Sequence, residues 1–328
     1  MTSMSVWWAA AFVLGSIVLL ALGADMLVRG ATSLAQRLRI PAAVIGLTVV
    51  ALGTSLPELT VGVTAALAGQ SDIGLGNVTG VNIFNICIVL GLAAVIRTIP
   101  VRGAVVQLEW PFMFASSFIV LLLVRDGTLD RLEGAFLVVS LVLFTAYAVR
   151  IARHDITTGE ERALESVIAD RTLLGRTRAL LPLIALCAGG IALLVGGGQA
   201  MVHGAVALAQ HAGLGERMIG LTVVAMGTGT PEVAASIAAV RRGHGELALG
   251  NVIGSNVVNV LGILGAVALV RPLPVPTAGV SDLWWMLGVT LLLLPIVRRG
   301  ARVTRSEGIL LVGVYLTYLG TLVRSAVS

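Results

Sequence analysis

Apolar residues run through this chain in ten stretches long enough to cross a bilayer, separated by short polar breaks. In the first half they cover about Val6–Val28, Ile40–Ala68, Ile73–Ile96, Gly103–Val124 and Leu132–Val149. In the second half they cover about Leu180–Leu208, Met218–Val240, Leu247–Val270, Ser281–Val297 and Gly308–Val323. Roughly 20 apolar residues span a bilayer as a helix, so the lengths suffice, the shortest only just. Arg150–Arg178 is the only sizeable hydrophilic loop, rich in Arg and Glu, and Glu160–Asp170 is long enough for a short surface helix. The first stretch resembles the apolar part of a signal peptide. No basic residue precedes it and it runs straight into a long span, so it reads as the first, uncleaved helix. The pattern predicts an all-α membrane protein with ten transmembrane helices.

The two halves repeat each other at an offset of 174 residues. Gly46-Leu-Thr-Val-Val-Ala-Leu-Gly-Thr-Ser-Leu-Pro-Glu58-Leu59 matches Gly220-Leu-Thr-Val-Val-Ala-Met-Gly-Thr-Gly-Thr-Pro-Glu232-Val233 at ten of fourteen positions. Gly76-Asn-Val-Thr-Gly-Val-Asn-Ile-Phe-Asn85 aligns without a gap to Gly250-Asn-Val-Ile-Gly-Ser-Asn-Val-Val-Asn259, and Trp110 falls on Trp284. An odd number of spans turns a second copy upside down, so five-helix repeats predict two inverted halves, the plan of many transporters. The division is 1–149 for the first repeat (signature region about 40–96), 150–178 for a connecting loop, and 179–328 for the second repeat (signature region about 218–270).

Charge placement agrees with that count. All 22 basic residues are Arg. With Arg29, Arg37 and Arg39 on the cytoplasmic side, alternation puts 17 Arg inside and 5 outside. The positive-inside bias then fixes both termini outside and the 150–178 loop in the cytoplasm, the topology of a multi-pass protein of the cytoplasmic membrane. Only 12% of residues are charged, against about 25% in a soluble domain. The net charge of +5 is therefore a topology signal and carries no expectation of nucleic-acid binding. Cys87 and Cys187 lie inside apolar stretches without CxxC spacing, so neither a disulfide nor a thiolate metal site is predicted.

Among seventeen acidic residues, only Glu58 and Glu232 are both deep in a span and matched between repeats. An acidic side chain at mid-bilayer costs roughly 2.5–3.5 kcal/mol on insertion scales, and a proline inside a helix adds about 3 kcal/mol. Each glutamate follows a proline, so both penalties occur twice in matched places. Intramembrane acids usually mark ion or proton paths; the plainer reading is a structural pair satisfied by hydroxyls and amides. Thr54, Ser55 and Thr228 precede the glutamates by three or four positions and share their face in a helix. Pro57 and Pro231 free carbonyls one turn earlier, around Gly53–Thr54 and Gly227–Thr228, with Ala51 and Ala225 just before. Asn77, Asn82 and Asn85 match Asn251, Asn256 and Asn259. Such an all-oxygen donor set suits Na⁺ or Ca²⁺ and disfavours zinc or copper. Asp25, four residues before Arg29, reads as an interfacial ion pair, and Glu109, whose repeat mate is Leu283, as reaching toward the interface. The Gly76/Gly80 and Gly250/Gly254 pairs read as helix-packing positions. Trp7, Trp8, Trp110, Trp284 and Trp285 read as interface anchors.

These signatures resemble the sodium/calcium exchanger membrane-protein family of the Ca²⁺/cation antiporter superfamily, whose two inverted repeats each carry a G-T-S-x-P-E and a G-N-x-x-G-S-N-x-x-N/D motif. The resemblance implies ten helices, a central site between spans two, three, seven and eight, and alternating access. It implies cation ligands at Ala51, Thr54, Ser55, Glu58 and Asn85 in the first repeat, and at Ala225, Thr228, Glu232, Ser255 and Asn259 in the second. Three positions depart from the motifs: Val81 and Gly229 stand where the family has serine, and Asn259 where some members have Asp. Two carboxylates balance one Ca²⁺ or two protons. The function expected is therefore Na⁺/Ca²⁺ antiport, with cation/proton antiport as the alternative and a passive channel or an intramembrane enzyme as remoter ones. No HExxH, nucleophile–base set or cofactor motif accompanies the glutamates, so no enzyme activity and no cofactor is expected. The expected partners are inorganic cations and the lipid bilayer; the sequence leaves the oligomeric state open and is compatible with a monomer.

Overall fold

The computed structural model describes residues 5–38, 40–67, 71–155, 180–211, 225–275 and 277–327. The chain begins with a long helix, α1 (Val6–Leu38). A bent pair follows, α2 (Ala42–Thr54) and α3 (Leu56–Leu67), meeting at 44°. Helix α4 (71–96) leads through strand β1 (Ile99–Pro100) to α5 (Val105–Asp126), strand β2 (Thr128–Leu129) and α6 (Arg131–Asp155). The second half contains α7 (Leu180–His211), the short α8 (Ala225–Thr228), α9 (Thr230–Arg241), α10 (Gly245–Val270), β3 (Leu273–Pro274), α11 (Thr277–Arg298), β4 (Arg302–Val303) and α12 (Arg305–Val327). Among the described residues, seven helices are long and apolar enough to cross a membrane, and the bent pair makes an eighth span. The start of the seventh predicted stretch, 218–224, and the 160–170 surface helix lie outside the described residues.

The bend has a local cause. Pro57 has no N–H to bond the Gly53 carbonyl, and the chain leaves helical torsions at Ser55 (φ −82°, ψ 7°) before restarting at Leu56. Its counterpart Gly229 (φ −80°, ψ 2°) makes the same break ahead of α9, which carries Pro231 in its first turn.

The 174-residue offset reappears in the backbone. It carries 71–96 onto 245–270, β1 onto β3, β2 onto β4, and Leu56–Leu67 onto Thr230–Arg241. Strand pairing respects it too. β1 pairs antiparallel with β4 and β2 with β3, so exchanging the halves turns one ribbon into the other. The flanking bonds match as well: Val101 N–H donates to Ala301 O and Val275 N–H to Gly127 O, both at 2.8 Å. At the centre, Asn82 Nδ2 donates to Asn256 O (3.2 Å) and Asn256 Nδ2 returns a bond to Asn82 O (3.3 Å), so the exchange axis runs between these two residues.

Helices α1 and α7, equivalent in the two halves, pack against each other in opposite directions. Gly23 meets Gly190 and Gly30 meets Cys187, while Gly197 meets Leu20 and Gly204 meets Ala9. Residue numbers rise along one helix as they fall along the other. A β-carbon on Gly23 or Gly204 would stand 2.8 Å from the facing carbonyl oxygen, so these glycines set the helix separation, as small residues do between membrane helices. The expected packing role holds for Gly250 and Gly254, whose added β-carbons would collide with the Ala43 and Leu47 carbonyl oxygens. For Gly76 and Gly80 the equivalent partners, positions 217 and 221, lie outside the described residues.

Two sequence readings are corrected. Trp110 is buried and its Nε1 donates to Thr290 O at 2.8 Å, so it is a packing residue and no interface anchor. Glu109 is also buried rather than reaching out, with one carboxylate oxygen unpartnered and the charges of Arg102 and Glu246 within electrostatic reach. Trp7, Trp8 and Trp284 are exposed on the outer surface, and Asp25 pairs with Arg29 at 2.8 Å and also with Arg242.

Candidate functional site

Glu58 and Glu232 each sit in the first turn of the helix that restarts after the break, α3 and α9. A glutamate there faces the free N–H groups and positive end of that helix, which favours a negative group. Both side chains are fully buried, and their carboxylates lie within electrostatic reach of each other. Thr54 faces Glu232 from the end of α2. Its hydroxyl is turned toward its own helix and neighbour, with Val50 O at 3.1 Å, Ala51 O at 3.4 Å and Asn251 Oδ1 at 3.4 Å. Hence none of the four carboxylate oxygens has a hydrogen bond of normal geometry.

Asparagines from α4 and α10 line the same region. Asn85 opens a π-helical turn at Asn85–Val89, and Asn259 lies in another at Val258–Ile263. Such turns rotate a side chain out of its α-helical register and occur often at functional sites. Asn259 Nδ2 donates to Asn82 Oδ1 at 2.9 Å, which leaves the Asn259 oxygen free. The mirror bond, from Asn85 to Asn256, is not made, and Asn85 keeps both polar atoms unpartnered. Asn77 donates to the Glu58 carbonyl at 3.4 Å.

Ser55 and Ser255 are buried with unpartnered hydroxyls. Thr228 is buried at the end of α8. Ala51 is buried, and its carbonyl accepts the Ser55 N–H at 3.1 Å and faces the Thr54 hydroxyl at 3.4 Å. Ala225 begins α8, and its side chain is outside the described set. Sequence reasoning missed Ser236, buried one turn beyond Glu232, whose hydroxyl takes a bond from Asn251 Nδ2 at 3.2 Å. Its spacing of four from the glutamate was the available signal.

Buried polar atoms normally find partners, and each one left without costs about 1–3 kcal/mol. Among the described residues, eleven buried side-chain polar atoms lack one, and ten belong to Ser55, Glu58, Asn85, Glu232, Ser255, Asn256 and Asn259. Nine of those ten are oxygens. Two desolvated carboxylates close together cost several kcal/mol each unless a positive charge joins them. The donor chemistry, carboxylate with amide and hydroxyl oxygen, matches a hard cation. Among the described residues no group of three or more His, Cys, Asp or Glu side chains gathers, so any cation here would be held by two carboxylates with neutral oxygens.

Broken helices bringing paired carboxylates and orphaned oxygens together inside an apolar bundle define a membrane cation carrier's architecture. The profile of the sodium/calcium exchanger protein family matches residues 8–150 and again 182–324, two stretches that begin and end 174 positions apart, and this chain belongs to that family. It is 38% identical over 314 residues to a protein of Alkalimonas amylolytica named as an antiporter, CaxA, covering 94% of this chain and 97% of that one. It is 36% identical over 318 residues to the inner membrane protein YrbG of Escherichia coli strain K12, covering 96% of each. The solved structure of the sodium-calcium exchanger NCX_Mj soaked with Na⁺ and Ca²⁺ superposes with a TM-score of 0.82 at 27% identity, over 96% of this chain and 98% of that one.

Proposed function

We propose that the protein is a secondary antiporter that exchanges Ca²⁺ for Na⁺ across the cytoplasmic membrane, with Glu58 and Glu232 jointly holding the transported cation. The observation that carries this reading is the concentration of orphaned buried oxygens around two matched carboxylates at the helix breaks. Thr54, Ser55, Asn85 and the Ala51 carbonyl supply further oxygens from the first repeat; Thr228, Ser255, Asn259 and the Ala225 carbonyl supply them from the second. One Ca²⁺ neutralises both carboxylates. With neither a metal cation nor protons bound the pair would carry a buried double negative charge, so crossing the membrane empty is the unfavourable step, and exchange follows from that cost.

The scaffold of this reading is ten helices in two inverted five-helix repeats, residues 1–149 and 179–328 joined by the 150–178 loop. The antiparallel packing of α1 on α7 and the exchange of strand pairs under the 174-residue offset support it. In such a scaffold the two halves trade conformations, and the site opens alternately to either side. In this reading both termini are outside and the 150–178 loop is cytoplasmic, which the arginine distribution supports.

The test is Ca²⁺ uptake into proteoliposomes at clamped voltage, driven by either an imposed Na⁺ gradient or an imposed pH gradient. Uptake that follows the Na⁺ gradient is expected. Uptake that ignores Na⁺ and follows pH would transfer the site to proton coupling, and uptake that never exceeds the Ca²⁺ gradient would make the protein a channel.

A further inference from the structure

The internal repeat supplies its own comparison, and at one place the halves disagree for a visible reason. Ser55 and Gly229 are repeat mates with nearly the same torsions (φ −82°, ψ 7° and φ −80°, ψ 2°), a conformation open to any residue. Backbone geometry therefore does not require glycine at 229. The neighbour does. A β-carbon at 229 would lie 2.6 Å from Phe84 Cε1 and 2.7 Å from Cδ1, with Cζ at 3.7 Å, so the ring meets the glycine along its Cδ1–Cε1 edge. Phe84 is buried and packed edge-on against Tyr315, ring centroids 5.6 Å apart, and Tyr315 is buried against Tyr318, so displacing the ring disturbs that aromatic cluster. The repeat mate of Phe84 is Val258, a much smaller side chain.

The chemical outcome differs between the halves. At Ser55 a buried, unpartnered hydroxyl is available to the site. On the equivalent flank of the second repeat there is a ring edge, which carries the positive end of the aromatic quadrupole and offers a cation no oxygen. We infer that Phe84 is a specificity-determining residue: with Gly229 it closes the second-repeat counterpart of the flank that Ser55 opens, so cations bind an asymmetric site that has the Ser55 hydroxyl and lacks its repeat mate. This rests on the assignment of Glu58 and Glu232 as the cation site.

The test uses the full-length protein, read by thermal unfolding under Na⁺ and Ca²⁺ titration and by Na⁺-driven Ca²⁺ flux in proteoliposomes. Gly229→Ser alone should lose folding or transport because the ring blocks its side chain. The pair Phe84→Val with Gly229→Ser should recover both and show a steeper Na⁺ dependence than wild type. The pair Phe84→Val with Gly229→Ala recovers folding by the same steric relief but keeps the wild-type steepness, which separates hydroxyl from space. Phe84→Val alone widens the flank and should raise uptake of Ba²⁺ relative to Ca²⁺ by about threefold or more, as pocket volume sets discrimination among chemically similar ligands. Gly229→Ser with wild-type flux, equal Na⁺ steepness in the two double variants, or an unchanged Ba²⁺/Ca²⁺ ratio in Phe84→Val would each overturn the inference. Wild-type protein lacking both Ca²⁺-dependent stabilisation and flux would instead remove the underlying site assignment.

Discussion

Replacing Glu58 by Gln separates two effects that the buried pair normally combines. A divalent cation and one carboxylate about 4 Å apart attract by roughly 8 kcal/mol at an effective dielectric near 20. Several kcal/mol of that is offset, because the neutral amide no longer has to be desolvated as a charge. The net loss of Ca²⁺ affinity is then about 4 kcal/mol, or about a thousandfold in Kd. Without Ca²⁺ the sign reverses: the variant removes one of two fully buried carboxylates whose oxygens have no partner, so the cation-free protein should become more stable. Thermal unfolding of the purified protein resolves both. At a Ca²⁺ concentration about 100 times the wild-type Kd, binding stabilises wild type by about 2.7 kcal/mol, whereas a thousandfold weaker variant gains under about 0.1 kcal/mol. The expected result is a higher melting temperature for Glu58→Gln in chelator, with no rise on adding Ca²⁺. A Ca²⁺-induced rise equal to wild type, or a destabilised cation-free variant, would refute the reasoning.

Gly250→Ala places a β-carbon against the Ala43 carbonyl and must push α2 from α10; it should cost about 1–3 kcal/mol of stability and most of the Ca²⁺ flux, read by unfolding and uptake. Glu109→Gln removes a buried carboxylate with an unpartnered oxygen outside the proposed ligand set, so it should match or exceed wild-type melting temperature while retaining Ca²⁺ uptake. In a background without Cys87 and Cys187, single cysteines in 160–170 and at position 276 should be labelled by an impermeant thiol reagent from opposite sides, the first only from the cytoplasm; labelling from one side would break the topology.

Much of this architecture is written in the sequence, for a physical reason. A bilayer demands apolar runs of fixed length, and the two halves keep matching signatures in register, so the apolar runs and the offset can both be read directly. The break at Ser55 was likewise legible from Pro57, because the missing donor is a local property. What could not be read is which face of each span meets protein. Glu109 and Trp110 lie in a helix that is apolar on every side, so no periodicity distinguishes the packed face from the lipid face. The strand pairs β1–β4 and β2–β3 depend on two-residue segments too short to carry a pattern. Gly229 reads as the loss of a serine, and only contact with Phe84, 145 positions earlier, gives the cause.

The central claim is that one cation touches both halves of the molecule at once. It is tested most directly by soaking crystals in Sr²⁺ and locating its anomalous signal. A peak contacted by carboxylate oxygens of both Glu58 and Glu232, and lost in Glu58→Gln, is the result predicted here. A peak on one glutamate alone, or only at surface acids such as Asp25, would contradict it.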